Sequence, residues 1–180
     1  MKTFLAFALG ACIVAIPFIT TGAPPQTTPA KVYLVETVAK RSGTKAVDFT
    51  WKENGKSVSF ADVTKGKVVL LNFWATWCGP CKRELPDLIA LSSEMANKGV
   101  VIFGVSLDQK DDKLQLVKTF SERTGIPYTN IIDNLQISDQ YGGIQSIPTT
   151  FIIDRQGNVV QKIVGMQSKE AFKKKKKKAL

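Results

Sequence analysis

Histidine is absent from the 180-residue sequence, and cysteine occurs only three times. The absence of histidine excludes hydrolases built on a Ser/His or Cys/His pair, zinc sites with imidazole ligands, and haem attachment through a Cys-x-x-Cys-His motif. Hydrophobic residues still make up 44% of the chain and charged residues 22%, which is the balance of a folded domain. The length fits one domain with accessory segments.

Acidic residues are fewer than basic ones, 15 against 25, and the formal net charge is +10. Six of the lysines form one run, Lys173 to Lys178. Outside that run 19 basic residues face 15 acidic ones, a net charge of +4. Because no basic patch pervades the domain, we expect no nucleic-acid partner. We interpret residues 173–180 as a Lys-rich tail. Two alternatives stay open for it: a solvated segment, or one attracted to anionic lipid at up to about 1 kcal/mol per lysine.

Residues 1–23 have the composition of a targeting segment. Lys2 precedes an apolar run from Phe4 to Ile19, whose length lies between that of a signal-peptide core and that of a membrane-spanning helix. A cleaved signal peptide and an uncleaved membrane anchor therefore both remain open, and lipidation of Cys12 is a third alternative. Each of the three predicts that the rest of the chain is exported.

Residues 24–45 follow this segment and are rich in proline and threonine at their start. That composition predicts a stiff, polar linker, with Val32 to Val35 as a short ordered piece. The predicted globular domain covers residues 46–172. It opens with two strands on either side of Asn54-Gly55, a dipeptide that favours a tight hairpin because both residues tolerate positive φ.

The next apolar run, Val68 to Trp74, predicts a strand that is covered on both faces. A helical spacing of apolar side chains follows from Cys78 to about Asn97, and Val100 to Ser106 predicts a second buried strand. Strand, helix and strand form a βαβ unit, so the predicted fold class is α/β. The remaining pattern predicts a helix, a hairpin and a final helix: Asp111 to Arg123, Thr149 to Val164, and the residues from Ser168.

Two cysteines, Cys78 and Cys81, lie three positions apart in the segment WCGPCK. In the first turn of a helix this spacing puts both on one face, where their sulfurs can meet. Pro80 fits that turn because its missing N–H has no helical partner to lose. Cys78, at the helix N-terminus, is the better nucleophile because unpaired N–H groups and the helix dipole favour its thiolate. Cys81, one turn further in, is suited to resolve a mixed disulfide.

Other functions are compatible with the cysteine pair. A purely structural disulfide is weakly supported, since closing a four-residue loop contributes only about 2 kcal/mol. Two thiolates could hold Cu(I) in a copper-site chaperone or reductase. Thr76 before Cys78 resembles the threonine and cysteine of a thiol peroxidase only loosely, since peroxiredoxins separate the two by two residues and need an activating arginine.

The segment FWATWCGPCK, followed further on by IPTTFIID, resembles the thioredoxin superfamily. A longer match, from AVDFTWKENGKSVSF through KGKVVLLNFWATWCGPCKRELP to SIPTTFIIDRQGNVV, resembles the exported, membrane-tethered TlpA/ResA-like thiol-disulfide oxidoreductases of bacteria. The resemblance implies a thioredoxin-like fold: a central mixed sheet flanked by helices, with an added N-terminal β-hairpin. It also implies no bound cofactor or metal, and thiol exchange with exported proteins such as apocytochromes c.

The resemblance assigns roles to three residues of this sequence. It implies that Cys78 is the nucleophile, that Cys81 is the resolving thiol, and that Pro148 is a cis proline facing the disulfide. A turn of that kind would expose the backbone of Ile147 to pair with an extended substrate segment. The alternative is a plain trans proline at the start of a strand.

Trp77, Gly79 and Pro80 are the expected substrate-contacting neighbours of the cysteines. Trp77 adjoins Cys78 and can form an apolar rim. Gly79-Pro80 is the dipeptide of thioredoxin, whose reduction potential of about −270 mV makes it a reductant. We therefore expect reduction of disulfides in exported proteins, with electrons from a thiol donor in the membrane. The expected location is extracytoplasmic, in the bacterial periplasm or at the outer face of the cytoplasmic membrane.

Asn72 and Glu84 mark a difference from cytosolic thioredoxin. The resemblance places Asn72 where thioredoxin has a buried aspartate that serves the resolving thiol, and an amide cannot accept a proton. Glu84 lies one helical turn beyond Cys81, and the exported family has an acid there, so we expect it to replace that aspartate. The alternative is a solvated helix carboxylate, or a partner for Lys82 or Arg83.

Overall fold

The computed structural model describes residues 30–176. The predicted signal peptide or membrane anchor of residues 1–23, with Cys12, lies outside the described residues, as do residues 177–180 of the predicted tail. Within residues 30–176, no helix combines the length and the apolar character needed to cross a bilayer.

The described chain forms one mixed sheet with helices on both of its faces. The strands are ordered β3-β2-β1-β6-β5-β4-β7-β8, with β1, β6, β5 and β4 parallel and the remaining neighbours antiparallel. This arrangement confirms the predicted α/β class with a central mixed sheet. In chain order the elements are β1 (Val32–Val38), β2 (Phe49–Glu53), β3 (Lys56–Ser59), α1 (Phe60–Thr64), β4 (Val68–Trp74), α2 (Gly79–Met95), a short 3₁₀ turn (Ala96–Lys98), β5 (Val100–Ser106), α3 (Lys113–Thr124), β6 (Asn130–Ile132), α4 (Gln136–Gln140), β7 (Thr149–Ile153), β8 (Val159–Val164) and α5 (Lys169–Lys176).

Strand β1 corrects the prediction of a linker over residues 24–45. It pairs in parallel with β6, where Val32 lies opposite Asn130, and antiparallel with β2, where Val38 lies opposite Phe49. The segment is rich in β-branched and aromatic residues, which favour strands. Its pairing also satisfies the edge of β6, whose N–H and C=O groups would otherwise lack partners on that side. The ordered piece expected at Val32 to Val35 is therefore a strand of the main sheet, and it extends to Val38 within the segment predicted as a linker.

The predicted N-terminal hairpin is confirmed by β2 and β3. Glu53 pairs with Lys56, which leaves Asn54 and Gly55 as a two-residue loop. Both loop residues have positive φ, 52° and 77°, as a tight hairpin turn of this type requires. The hairpin continues the main sheet through β1.

Two apolar clusters pack on opposite faces of the sheet. Every residue of β4 is buried, and its side chains alternate between the clusters. Helices α2, α3 and α5 cover one face with side chains that include Leu88, Val117 and Phe172. Helices α1 and α4 cover the other face, where Phe60 of α1 packs at right angles against Phe103 of β5 with the ring centroids 5.2 Å apart. The end of β4 is therefore held at the centre of the molecule.

Helix α5 corrects the predicted boundary between the domain and its Lys-rich tail. It continues past residue 172 to Lys176, so the first four lysines of the run are helical. Phe172 is fully buried, and the Nζ atom of Lys173 lies 2.6 Å from a carboxylate oxygen of Glu94 on α2. Burial of Phe172 and this ion pair hold the helix against α2, so the structured domain extends through Lys176.

Gly104 of β5 leaves room for a buried hydrogen bond between its neighbours. The indole Nε1–H of Trp74 donates to Oδ1 of Asn130 at 2.9 Å. A Cβ atom on Gly104 would overlap Asn130 Oδ1 and would lie 2.9 Å from Trp74 Nε1. We predict that Gly104→Ala lowers the free energy of unfolding by about 1 to 3 kcal/mol, as overpacking does elsewhere, measured by urea unfolding of the oxidised protein.

An Asn130→Ala background tests the steric reason for that prediction. Alanine removes the amide group that the new methyl would meet, so Gly104→Ala should cost less there than in the wild type. Equal costs in the two backgrounds would show that the destabilisation has another origin.

Candidate active site

Cys78 caps the N-terminus of α2 at the point where the chain leaves the central strand. Its backbone is extended, with φ −80° and ψ 110°. Its sulfur accepts a hydrogen bond from the backbone N–H of Cys81 at 3.1 Å. The sulfur thus occupies the position in which an N-cap oxygen usually accepts from the first turn.

Cys78 and Cys81 form a disulfide, with their Cα atoms 5.3 Å apart. The prediction that the helical spacing lets the two sulfurs meet is thereby confirmed. Both cysteines are buried, with 4% of Cys78 and 2% of Cys81 exposed. Cys78 lies at the end of the helix, and Cys81 lies within its first turn.

The Ile147–Pro148 peptide bond is cis, as predicted. Strand β7 begins directly after it and pairs with β4, where Thr149 lies opposite Phe73. That register brings the turn to the end of β4, and the carbonyl oxygen of Ile147 lies 3.6 Å from Cys78 Sγ. Pro148 is buried, whereas Ile147 is partly exposed. The structure therefore places the turn against the sulfur of Cys78.

The residues around the disulfide differ in how far they reach solvent. Trp77 is 64% exposed, Pro80 is exposed, and Gly79 is half-buried. Trp74 is instead buried in the core. Of Trp74 and Trp77, only Trp77 projects beside the disulfide as an apolar surface open to a partner.

Glu84 is buried in α2, with 1% of the residue exposed. Oε1 accepts the backbone N–H of Gln167 at 3.3 Å, and Oε2 has no hydrogen-bond partner among residues 30–176. Burial raises the pKa of Glu84 to about 7; the Gln167 N–H opposes the rise, and the charge of Asp87 adds to it. The alternative of a solvated helix carboxylate is therefore wrong, because the side chain points into the protein.

Asn72 lies in the middle of β4 and is also buried. Its Nδ2 donates to Oγ1 of Thr150 on β7 at 2.9 Å. The amide thus links two neighbouring strands. Glu84, by contrast, is a titratable group, and it lies on the same helix as Cys81.

Asp108 is a residue of the site that the sequence analysis missed. It follows β5, is 1% exposed, and accepts hydrogen bonds from Thr76 in the loop before Cys78. A signal for it exists in the sequence: Asp108 comes two residues after a buried strand predicted to lie beside β4. The carboxyl ends of neighbouring parallel strands meet at one edge of the sheet, where sites commonly form.

Comparison with known proteins places this arrangement in a family. Residues 42–162 match the AhpC/TSA family. The chain belongs to the AhpC/TSA family. It is 40% identical over 116 residues to the thiol-disulfide oxidoreductase ResA of Bacillus anthracis, a match that covers 64% of this chain and 65% of ResA. The chain thus spans slightly less than two thirds of that relative. It is also 34% identical over 146 residues to the thioredoxin-like protein YneN of Bacillus subtilis, covering 81% of this chain and 84% of YneN.

Two solved structures share the fold of this AhpC/TSA member. A thiol:disulfide interchange protein of the thioredoxin family from Chlorobium tepidum superposes with a TM-score of 0.67 at 34% identity, covering 78% of this chain and 99% of that one. StoA from Bacillus subtilis gives a TM-score of 0.61 at 25% identity, covering 73% and 98%. The resemblance to the thioredoxin superfamily and to its ResA-like members is therefore confirmed.

Folding stability should depend on the protonation of Glu84. Its folded pKa of about 7 lies above the ordinary value of 4.5, so the folded state holds the proton more tightly than the unfolded state. The contribution of Glu84 to the free energy of unfolding should therefore be fully present below about pH 4.5 and be lost as the pH rises through about 7. We predict that Glu84→Gln removes this fall, since glutamine stays neutral; urea unfolding of the oxidised protein between about pH 5 and pH 8 measures it.

Glu122→Gln is the matched control, because Glu122 is an exposed glutamate on α3. This variant should keep the pH dependence of the wild type. An equal fall in stability for the wild type and Glu84→Gln would contradict a Glu84 carboxyl held in its protonated form.

Proposed function

We propose that this chain is an exported thiol-disulfide oxidoreductase that reduces disulfides in other exported proteins. The observation that carries the proposal is the Cys78–Cys81 disulfide at the N-terminus of α2, with Cys78 Sγ 3.6 Å from the carbonyl oxygen of Ile147. The thiol-disulfide names of its relatives support it. Gly79 and Pro80 complete the CGPC dithiol between the two cysteines.

The first step uses the position of Cys78 at the helix terminus. In the reduced protein, the N–H of Cys81 and the helix dipole favour a thiolate at Cys78. That thiolate attacks one sulfur of a client disulfide, so that a mixed disulfide forms and the other client sulfur leaves as a thiolate. Exposed Trp77 offers an apolar contact to the client, and the backbone at Ile147 can pair with an extended client segment.

The second step completes the exchange through Cys81. Its sulfur attacks Cys78 Sγ, which releases the second client thiolate and forms the intramolecular disulfide. The proton of the Cys81 thiol must go to a base, and we assign Glu84 this role because it lies on the same helix one turn away. A carboxyl with a pKa of about 7 can accept and release a proton near neutral pH.

The predicted location and partners follow from the N-terminal segment. A signal peptide or a membrane anchor at residues 1–23 would deliver the domain to the bacterial periplasm or to the outer face of the cytoplasmic membrane. An oxidising compartment does not regenerate a dithiol, so we propose a thiol electron donor in the membrane. Apocytochromes c, whose cysteines must be reduced before haem attachment, are one class of client that fits.

The thiol peroxidase alternative is less well supported by the structure. The hydroxyl of Thr76 donates to Asp108 Oδ1 at 2.6 Å. A peroxidatic threonine must instead direct its hydroxyl at the peroxide. The AhpC/TSA assignment alone does not favour peroxide reduction, since the two relatives are named a thiol-disulfide oxidoreductase and a thioredoxin-like protein.

The order of attack predicts which cysteine variant retains a client. Cys81→Ser should accumulate a mixed disulfide with a disulfide-containing protein such as insulin, because the resolving sulfur is missing. Cys78→Ser should accumulate none, because the remaining thiol lies inside the helix. Electrophoresis without reductant measures the adduct, and Cys12→Ser in both variants removes the third cysteine as its source. Trapping by Cys78→Ser alone would reverse the assigned roles.

The reduction potential of the Cys78/Cys81 pair determines the direction of exchange. We expect a value below about −220 mV after equilibration with glutathione or dithiothreitol buffers, as for a reductant. A value of about −120 mV would identify an oxidase and contradict the proposed direction. Tight binding of one Cu(I) per chain, lost in either Cys→Ser variant, would favour the copper-site alternative instead.

A further inference from the structure

The loop between β4 and α2 is fastened to the end of β5 by buried hydrogen bonds. Oδ2 of Asp108 accepts the backbone N–H of Thr76 at 2.9 Å, and Oδ1 accepts the Thr76 hydroxyl at 2.6 Å. The hydroxyl of Ser106 donates to Oδ2 at 2.8 Å. Both oxygens of a buried carboxylate are thereby satisfied.

No lysine or arginine among residues 30–176 forms an ion pair with Asp108. A buried carboxylate without a cation is costly unless its oxygens accept hydrogen bonds. The carboxylate therefore depends on its donors in Thr76 and Ser106, and the conformation of Thr76 depends on the carboxylate in turn.

These bonds continue the pairing of β4 and β5 beyond the ends of the strands. Trp74 and Ser106 are the last paired residues, and the N–H of Leu107 then donates to the carbonyl of Trp74 at 2.9 Å. Thr76 and Asp108 form the next connection. Beyond it, the N–H of Cys78 donates to the carbonyl of Ala75 at 3.1 Å. Hydrogen bonds thus lead from the central sheet to the cysteine at the helix terminus.

Apolar packing does little to hold this loop. Trp77 projects into solvent, Thr76 is half-buried, and only the small side chain of Ala75 lies in the core. The hydrogen bonds to Asp108 therefore constrain the backbone that leads into Cys78.

We propose that Asp108 is a positioning residue for thiol exchange, acting through Thr76. By holding the loop, it keeps the sulfur of Cys78 over the N–H groups of the first turn of α2 when the disulfide is open. The inference rests on the proposed function, because positioning matters only if Cys78 takes part in thiol exchange. The reactivity of Cys78 can nevertheless be measured without a client protein.

The test compares two substitutions of Thr76 in the full-length protein. Thr76→Val keeps the shape but removes the hydroxyl donor, whereas Thr76→Ser keeps the hydroxyl. In the reduced protein near neutral pH, we expect Thr76→Val to slow the alkylation of Cys78 by iodoacetamide by roughly three- to tenfold, the net effect of one ordinary intramolecular hydrogen bond. Thr76→Ser should stay within about twofold of the wild type. Peptide mass spectrometry follows each cysteine separately.

The reduction potential provides a second measurement. Weaker stabilisation of the Cys78 thiolate disfavours the reduced form, so Thr76→Val should shift the potential to a more negative value. Thr124→Val is the matched control, since it removes a hydroxyl that donates to a backbone carbonyl at the end of α3. It should change neither the alkylation rate nor the potential.

Two results would overturn the proposal. In one, Thr76→Val lowers the free energy of unfolding but has the same alkylation rate and reduction potential as the wild type, which would make the contact purely structural. In the other, Thr76→Ser is slowed as much as Thr76→Val, so that the hydroxyl is not responsible. Insulin reduction by the wild type is measured in parallel. Its absence would refute the proposed function, while the alkylation rates would still decide the role of Asp108.

Discussion

The burial of β4 on both faces is the constraint on which the rest of the site depends. Because this strand cannot shift without disturbing two apolar clusters, the loop that leaves it delivers Cys78 to one place. Its parallel neighbour, β5, ends beside it and brings Asp108 to the same edge of the sheet. Its antiparallel neighbour, β7, begins there and brings the Ile147–Pro148 turn. Three separate segments therefore meet around the loop that carries Cys78.

Two buried carboxyl groups lie near the cysteine pair, and they differ in their hydrogen bonds. Asp108 accepts from donors on both of its oxygens, which suits a charged group that holds a loop. Among residues 30–176, Glu84 accepts from one backbone N–H only, so its desolvation is poorly compensated and its pKa rises to about 7. The first arrangement suits positioning, and the second suits proton transfer.

The segment between β8 and α5 connects the two sides of the site. The N–H of Gly165 donates to the carbonyl of Pro148 at 2.8 Å, and the N–H of Gln167 donates to Glu84. The same segment leads into α5, whose position against α2 depends on the burial of Phe172. The C-terminal helix is thus part of the structure that supports the active site, although the sequence alone suggested that the domain ended at its first lysines.

Features set by neighbouring residues were predictable from the sequence. The Asn54-Gly55 turn depends on local backbone preferences, the buried strand Val68–Trp74 on an uninterrupted apolar run, and the cysteine pair on helical spacing. Only the tertiary structure decided the place of β1, the burial of Glu84 and the contact of Asp108 with the active-site loop. Each of these depends on which distant segments pack together, because burial and hydrogen-bond partners are properties of the assembled sheet and its helices.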